Sequence, residues 1–306
     1  MTEYDVSLSS MWVKNNFPKF ADFFEAATRL GFPKVELNHQ VNSEMLSGVD
    51  LRKYVISSVH EPCPADISVE TLKSRDWLIS STDEDCRKHG VESVKRSLDL
   101  AKELSAHTIV IHCGHISPDM KLENKLRNLY EIHQVNTPEN QDTIAMMVDK
   151  RRNLIAPCMA AVEKSLKELL EYAGHYGIRL GLENRYHYFD IPSQDEMAQL
   201  LELADPDQLG FIYDTGHAQA MGNLGFYPQK AWLDRFSKRI LGSHLHDVIG
   251  ITDHYAPGLG EVDFKQIAGY LPVEAYRTME VQPHNTFEQV RAGLRILADS
   301  GCIQHL

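Results

Sequence analysis

Short apolar runs alternate along this chain with longer stretches in which apolar positions recur every three or four residues. The short runs are "YDVSLSS" (4–10), "KVELN" (34–38), "YVISSVH" (54–60), "HTIVIHCG" (107–114), "IRLGLEN" (178–184), "LGFIYDTG" (209–216), "RILGSHLHD" (239–247) and "YRTMEVQP" (276–283). Between them lie helical patterns such as "FPKFADFFEAATRLG", "DCRKHGVESVKRSLDLAKELSA", "APCMAAVEKSLKELLEYAGHYG" and "NTFEQVRAGLRILADSG". Ser193 with Glu196 reads as a capping box at the start of "SQDEMAQLLELA", and Gly177 as a helix stop. Strands alternating with helices imply a parallel sheet, and eight such units in 306 residues imply a (β/α)8 TIM barrel spanning 1–306 as one domain. An open doubly wound sheet is the alternative. It calls for a glycine-rich phosphate loop after an early strand, and neither GxGxxG nor GxxxxGK[ST] is present. The segment from about 115 to 150 reads as one long polar insertion after the fourth strand, on the rim where a barrel keeps its active-site loops.

The ends of the strands carry the chemistry. The third strand ends in His60, the fourth in His112 and the fifth in Glu183. The sixth ends in Asp214 followed by His217, the seventh carries His244 and His246, and the eighth carries Glu280. In a barrel these ends meet at one rim, so the residues converge. Buried carboxylates and imidazoles brought together need a neutralising partner, and a divalent cation supplies one. The mixed donors suit Zn²⁺ or Mn²⁺ first, with Co²⁺ or Fe²⁺ as alternatives, over Ca²⁺ or Mg²⁺. Glu183, Asp214, His244 and Glu280 suffice for one ion; His60, His112, His217 and His254 offer ligands for one or two more. Spacing does not decide between His244 and His246, which share a strand face. His115, His187 and His284 read as rim residues facing solvent or substrate. The loop "HDVIGITDHYAPGLGEVDF" adds Asp253 and His254, with Gly258 and Gly260 either shaping an ordinary βα loop or allowing close approach to a ligand.

Composition narrows the partners. The formal net charge of −12 argues against a nucleic-acid backbone as partner. The five cysteines are scattered, with no CxxC pair, which argues against a disulfide framework or a thiolate zinc site. No apolar run approaches the roughly 18 to 20 residues that cross a bilayer, and "MTEYDVSLSS" lacks a signal-peptide pattern. The expectation is a cytoplasmic protein acting on a small molecule, with homo-oligomerisation left open.

"LGLENR", "YDTGHA", "HLHD…DH…PGLGEVDF" and "MEV" together resemble the xylose isomerase-like TIM-barrel superfamily, which includes sugar and sugar-phosphate isomerases and epimerases and the endonuclease IV type of apurinic-site nuclease. The resemblance implies that Glu183, Asp214, His244 and Glu280 are the shared metal ligands. In the sugar epimerases and ketose isomerases it further implies that the two glutamates act as acid and base while His217 contacts the sugar. In the nuclease branch, His60, His112, His217 and His254 would complete a three-metal cluster. The nuclease loop reads Asp-x-His, whereas here Asp253 directly precedes His254, which counts against a third metal.

Two enzymatic readings follow. In the first, a metal-dependent isomerase or epimerase of a carbohydrate, Glu183 and Glu280 move a proton beside a polarised carbonyl. His60, His112, His217, His254 and Arg185 then face the substrate, although Arg185 serves equally as an ion-pair partner of Glu183. In the second, a multi-metal phosphodiester or phosphate-ester hydrolase, His60, His112, His217, Asp253 and His254 are further metal ligands. A non-catalytic sugar-binding barrel is a third reading, and it leaves the paired glutamates without a role.

Overall fold

The computed structural model describes residues 4–116 and 119–306. Its strands are β1 (Ser7–Ser9), β2 (Lys34–Leu37), β3 (Val55–His60), β4 (Thr108–Ile111), β5 (Arg179–Glu183), β6 (Leu209–Asp214), β7 (Ile240–Leu245), β8 (Asp247–Ile249), β9 (Thr252–Tyr255) and β10 (Tyr276–Met279). All except β8 and β9 pair in parallel and close a barrel in the order β1-β10-β7-β6-β5-β4-β3-β2. This is the (β/α)8 barrel expected from the alternation of patterns. The helices are α1 (Phe20–Leu30), α2 (Ser43–Ser47), α3 (Val69–Ser74), α4 (Glu84–Glu103), α5 (Lys121–Glu131), α6 (Pro138–Gly174), α7 (Gln194–Leu201), α8 (Thr215–Asn223), α9 (Lys230–Phe236), α10 (Phe264–Ala268) and α11 (Phe287–Ser300).

The strands read as unbroken apolar runs because helices cover one face and the barrel interior the other. Phe211 and Tyr213 on β6 join the extended core beneath the helices, whereas Ile212 belongs to a separate small cluster with Val110, Leu241 and Tyr276. Asp214 lies two positions beyond Ile212 and therefore shares its inward face. Small residues make room inside: a Cβ at Gly242 would sit 2.3 Å from the Tyr276 ring, and one at Gly181 2.5 Å from Ile212. Strand register brings the functional ends level. Asp214 pairs with His244, and Met279, just before Glu280, pairs with Leu245.

The segment expected as a polar insertion is largely helical in its described part; residues 117–118 lie outside the described residues. It forms α5 and the first half of α6. Thr137 caps α6 by accepting the Asn140 N–H at 3.2 Å, and Pro138 occupies the first turn, where its missing N–H costs nothing. Asn140, Thr143, Met147 and Arg151 form its buried face. Their spacing is helical, but three of the four are polar, so apolar periodicity does not reveal it. The β8–β9 hairpin, inside what reads as a plain loop, is a second departure.

Candidate metal and active site

The sixth strand ends in Asp214 because that carboxylate also starts the next helix. Its Oδ1 accepts the His217 N–H at 2.7 Å as the N-cap of α8, so the Asp214–His217 spacing is a helix cap as well as a donor pair. Asn184 clamps Asp214 from the fifth strand. Its Oδ1 accepts the Asp214 N–H at 2.8 Å, and its amide donates to the Asp214 carbonyl at 2.9 Å.

Glu183, Asp214, His244 and Glu280 are all buried, with ligand atoms within 4.8 Å of one another. His244 Nδ1 is the hub, lying 2.6 Å from Glu183 Oε1, 3.0 Å from Glu280 Oε2 and 3.7 Å from Asp214 Oδ2. Burial works against a charge on His244. Even so, Glu280, then Glu36, Asp214 and Glu183, hold its pKa well above the ordinary imidazole value. Burial likewise opposes ionisation of Glu183, but hydrogen bonds from His112 and His244 and the charge of Arg185 keep it well below the carboxylate range. Glu280 is lowered against its burial by His244 and His254. A proton on His244 thus stands where three carboxylates would otherwise face one another, which is the place and charge sign that suit a cation.

The other predicted residues gather around this centre. His60 lies 3.9 Å from Glu183, and His112 Nε2 is 3.1 Å from it. His60 Nδ1 donates to the Glu61 carbonyl at 3.1 Å, and His217 Nδ1 donates to the Asn184 carbonyl at 2.9 Å. A carbonyl only accepts, so each ring in its neutral form presents a bare Nε2, the tautomer of a metal ligand. His217 Nε2 faces Asp253 Oδ2 at 3.6 Å. His254 Nδ1 lies 3.0 Å from Asp253 Oδ1, yet the two make no hydrogen bond, and His254 has a positive φ of 60°. Burial opposes ionisation of Asp253, but His254 above all brings its pKa down to about 2. Arg185 pairs with Glu183 and reaches Asp190 at 3.5 Å. Beside it lies a small cavity of about 40 Å³, lined in part by Glu61, Lys73, Trp77 and His112.

The structure separates the two histidines of the seventh strand. His244 joins the carboxylate cluster. His246 instead sets its Nε2 2.9 Å from both oxygens of Asp214, within a second grouping of Asp214, His217, His246 and His254. The rim histidines stand apart from both groups. His187 bonds Glu123 at 2.7 Å, the backbone N–H of His115 donates to Ser80, and His284 packs on Tyr255.

Gly258 and Gly260 answer to the loop. The Asp247 carboxylate accepts the N–H groups of Val248, Gly258 and Val262 at 2.8 to 3.0 Å, and a Cβ at Gly260 would lie 1.9 Å from the Val248 carbonyl oxygen.

Glu36 on β2 escapes a reading of strand ends. It is fully buried, 3.1 Å from His244 Nε2, and accepts from Ser58 at 2.5 Å. A carboxylate between Val35 and Leu37 in a buried strand was its available signal. Asn184 and Ser9, which donates to Glu280 at 3.2 Å, were also missed.

With this geometry in place, residues 24–299 match the xylose isomerase-like TIM barrel, and the chain belongs to that family. Over 88 residues, 28 % of this chain, it is 35 % identical to inosose dehydratase of Geobacillus kaustophilus. The chain spans 27 % of that relative's length and 54 to 60 % of the other curated relatives it matches. Among solved structures it superposes on a D-tagatose 3-epimerase-like protein with a TM-score of 0.68 and 19 % identity, covering 98 % of this chain and 97 % of that one. It also superposes on the IOLI protein with a bound zinc atom, with a TM-score of 0.66, 14 % identity and 98 % of each chain covered. At these identities the superpositions speak to the fold.

Proposed function

We propose that this chain is a divalent-metal-dependent isomerase or epimerase of a sugar or sugar phosphate. The observation that carries the reading is the pair of buried carboxylates, Glu183 and Glu280, set on one imidazole nitrogen at 2.6 and 3.0 Å. The donor set fits a transition-metal ion: three carboxylates and an imidazole whose far nitrogen is backed by a fourth carboxylate, Glu36. Glu183, Asp214, His244 and Glu280 would hold it. When bound, such an ion polarises a carbonyl oxygen and stabilises the negative charge that develops as the neighbouring carbon loses its proton. One glutamate takes that proton, and the other group returns one to the opposite face or to the adjacent carbon. Arg185 and His112 border the cavity beside Glu183 and would bind substrate hydroxyls or a phosphate. Sugar epimerases among the structural relatives and inosose dehydratase among the curated ones support carbohydrate chemistry. A small carbohydrate partner and a cytoplasmic location belong to the same reading.

The test is to incubate metal-loaded protein with ketoses, aldoses and keto-glycosides in D₂O. Deuterium entering a carbon next to a carbonyl, lost on chelation and restored by Zn²⁺ or Mn²⁺, is the expected result; no exchange with any of them would overturn the reading. The His217–Asp253–His254 grouping favours a second reading, a multi-metal phosphate-ester hydrolase, which predicts release of phosphate or cleavage of a diester instead.

A further inference from the structure

His246 sits among groups that could share an ion, yet its two nitrogens are already committed. The backbone N–H of His254 donates to His246 Nδ1 at 2.9 Å. That nitrogen is therefore bare, and the neutral ring carries its hydrogen on Nε2. Nε2 in turn points at both oxygens of Asp214, each at 2.9 Å. To ligate through Nε2, the ring would have to become an imidazolate beside a buried carboxylate. To ligate through Nδ1, it would strand the His254 N–H, and an unpaired buried donor is costly. The ring is also fixed in place. It stacks on His254 with centroids 4.1 Å apart and planes 7° apart, and a Cβ at Gly216 would lie 2.1 Å from its Cε1. Gly216 is thus the space that admits this imidazole.

We propose that His246 is a positioning residue rather than a ligand: its Nε2–H aims the Asp214 carboxylate into the grouping with Glu183, His244 and Glu280, and its Nδ1 ties that aim to β9. The inference rests on the metal reading above for its consequence, though the hydrogen-bond assignment can be measured on metal-free protein. A hydrogen-bonded partner behind a ligating carboxylate fixes its orientation and strengthens its hold on the ion.

Two substitutions separate the two bonds. In His246→Asn, the Oδ1 replaces Nδ1, so the bond from His254 is kept and the bond to Asp214 is lost. In His246→Gln, the Nε2 replaces the ring Nε2, so the donor to Asp214 is kept. Zn²⁺ affinity by chelator competition and Zn²⁺ per chain by elemental analysis are measured on the full-length protein. The Asn variant should bind Zn²⁺ about 10- to 100-fold more weakly at unchanged stoichiometry, and the Gln variant within about threefold of wild type. Long-range ¹H–¹⁵N correlation spectra should show His246 as the Nε2–H tautomer both without and with Zn²⁺. Wild-type affinity in the Asn variant, loss of a whole equivalent of Zn²⁺ or a hydrogen on Nδ1 would each overturn the inference. If the Asn variant does not fold, the spectra of the wild type and the Gln variant still decide. Wild-type protein that binds no Zn²⁺ would overturn the metal reading and this inference with it; equal affinity of wild type and Asn variant would overturn this inference alone.

Discussion

Glu36 and His244 meet across the barrel although 208 positions separate them, with the Glu36 carboxylate 3.1 and 3.3 Å from His244 Nε2. The contact makes Nε2 the donor and turns Nδ1 toward Glu183, Asp214 and Glu280. A carboxylate behind a ligating imidazole fixes its tautomer and raises its basicity. Glu36→Gln should therefore weaken Zn²⁺ binding about 10-fold, and Glu36→Ala nearer 100-fold, as read by chelator competition. Unchanged affinity in Glu36→Ala would show that His244 does not depend on this partner.

Glu280→Gln removes a base while keeping size and an oxygen donor. The protein should fold with an unchanged circular dichroism spectrum, and turnover should fall by at least about 100-fold, the usual contribution of a general base. Wild-type rates in this variant would assign the proton transfer elsewhere.

His60 and His112 decide between the isomerase and hydrolase readings. His112 donates to Glu183 from 3.1 Å, whereas His60 presents a bare nitrogen 3.9 Å from the same carboxylate. Changing both to Ala should raise KM or slow turnover while one tightly bound metal equivalent remains. Loss of one full equivalent on elemental analysis, with the other retained, would favour the multi-metal hydrolase.

Stability of the metal-free protein should fall on the acid side in two windows. Burial lowers the pKa of His39 to about 3 and also lowers His112 and His217. Below about pH 6.5 the unfolded chain binds protons on these rings that the folded one refuses, so stability declines. Asp253, down to about 2 when folded, adds stability that is full above about pH 4 and lost below it, as do Glu183 and Glu280. His244 and His254 work in the opposite sense. Their raised values contribute stability that is lost on the alkaline side and grows as pH falls to about 6.5, so they offset part of the decline near neutrality and leave it unopposed at lower pH. Urea midpoints at pH 6, 5, 4 and 3 should fall in that order, and a flat series would contradict the assignment.

The barrel and most of its rim were legible because a strand ending in a carboxylate or imidazole breaks an otherwise apolar run. That signal marks Glu183, Asp214, His244 and Glu280 directly. It marks His246 as well, but alternation assigns a face and says nothing about which nitrogen carries hydrogen, so the difference between His244 and His246 appears only with coordinates. The first half of α6 was hidden for a related reason. Arg151 occupies a buried helical position because Glu196 and the carbonyls of Tyr188 and Asp190 receive its guanidinium, and no apolar stripe records that.

The fit of His246 against Gly216 couples two positions thirty residues apart into a single heritable choice. A side chain at 216 is compatible only with a smaller residue at 246, and an imidazole at 246 only with glycine at 216. A lineage that gains a side chain at 216 while the imidazole remains passes through a protein in which the start of α8 collides with the chain just after β7, whereas loss of the ring alone meets no such clash. Exchange there should therefore be ordered, with glycine at 216 kept until the ring at 246 has gone.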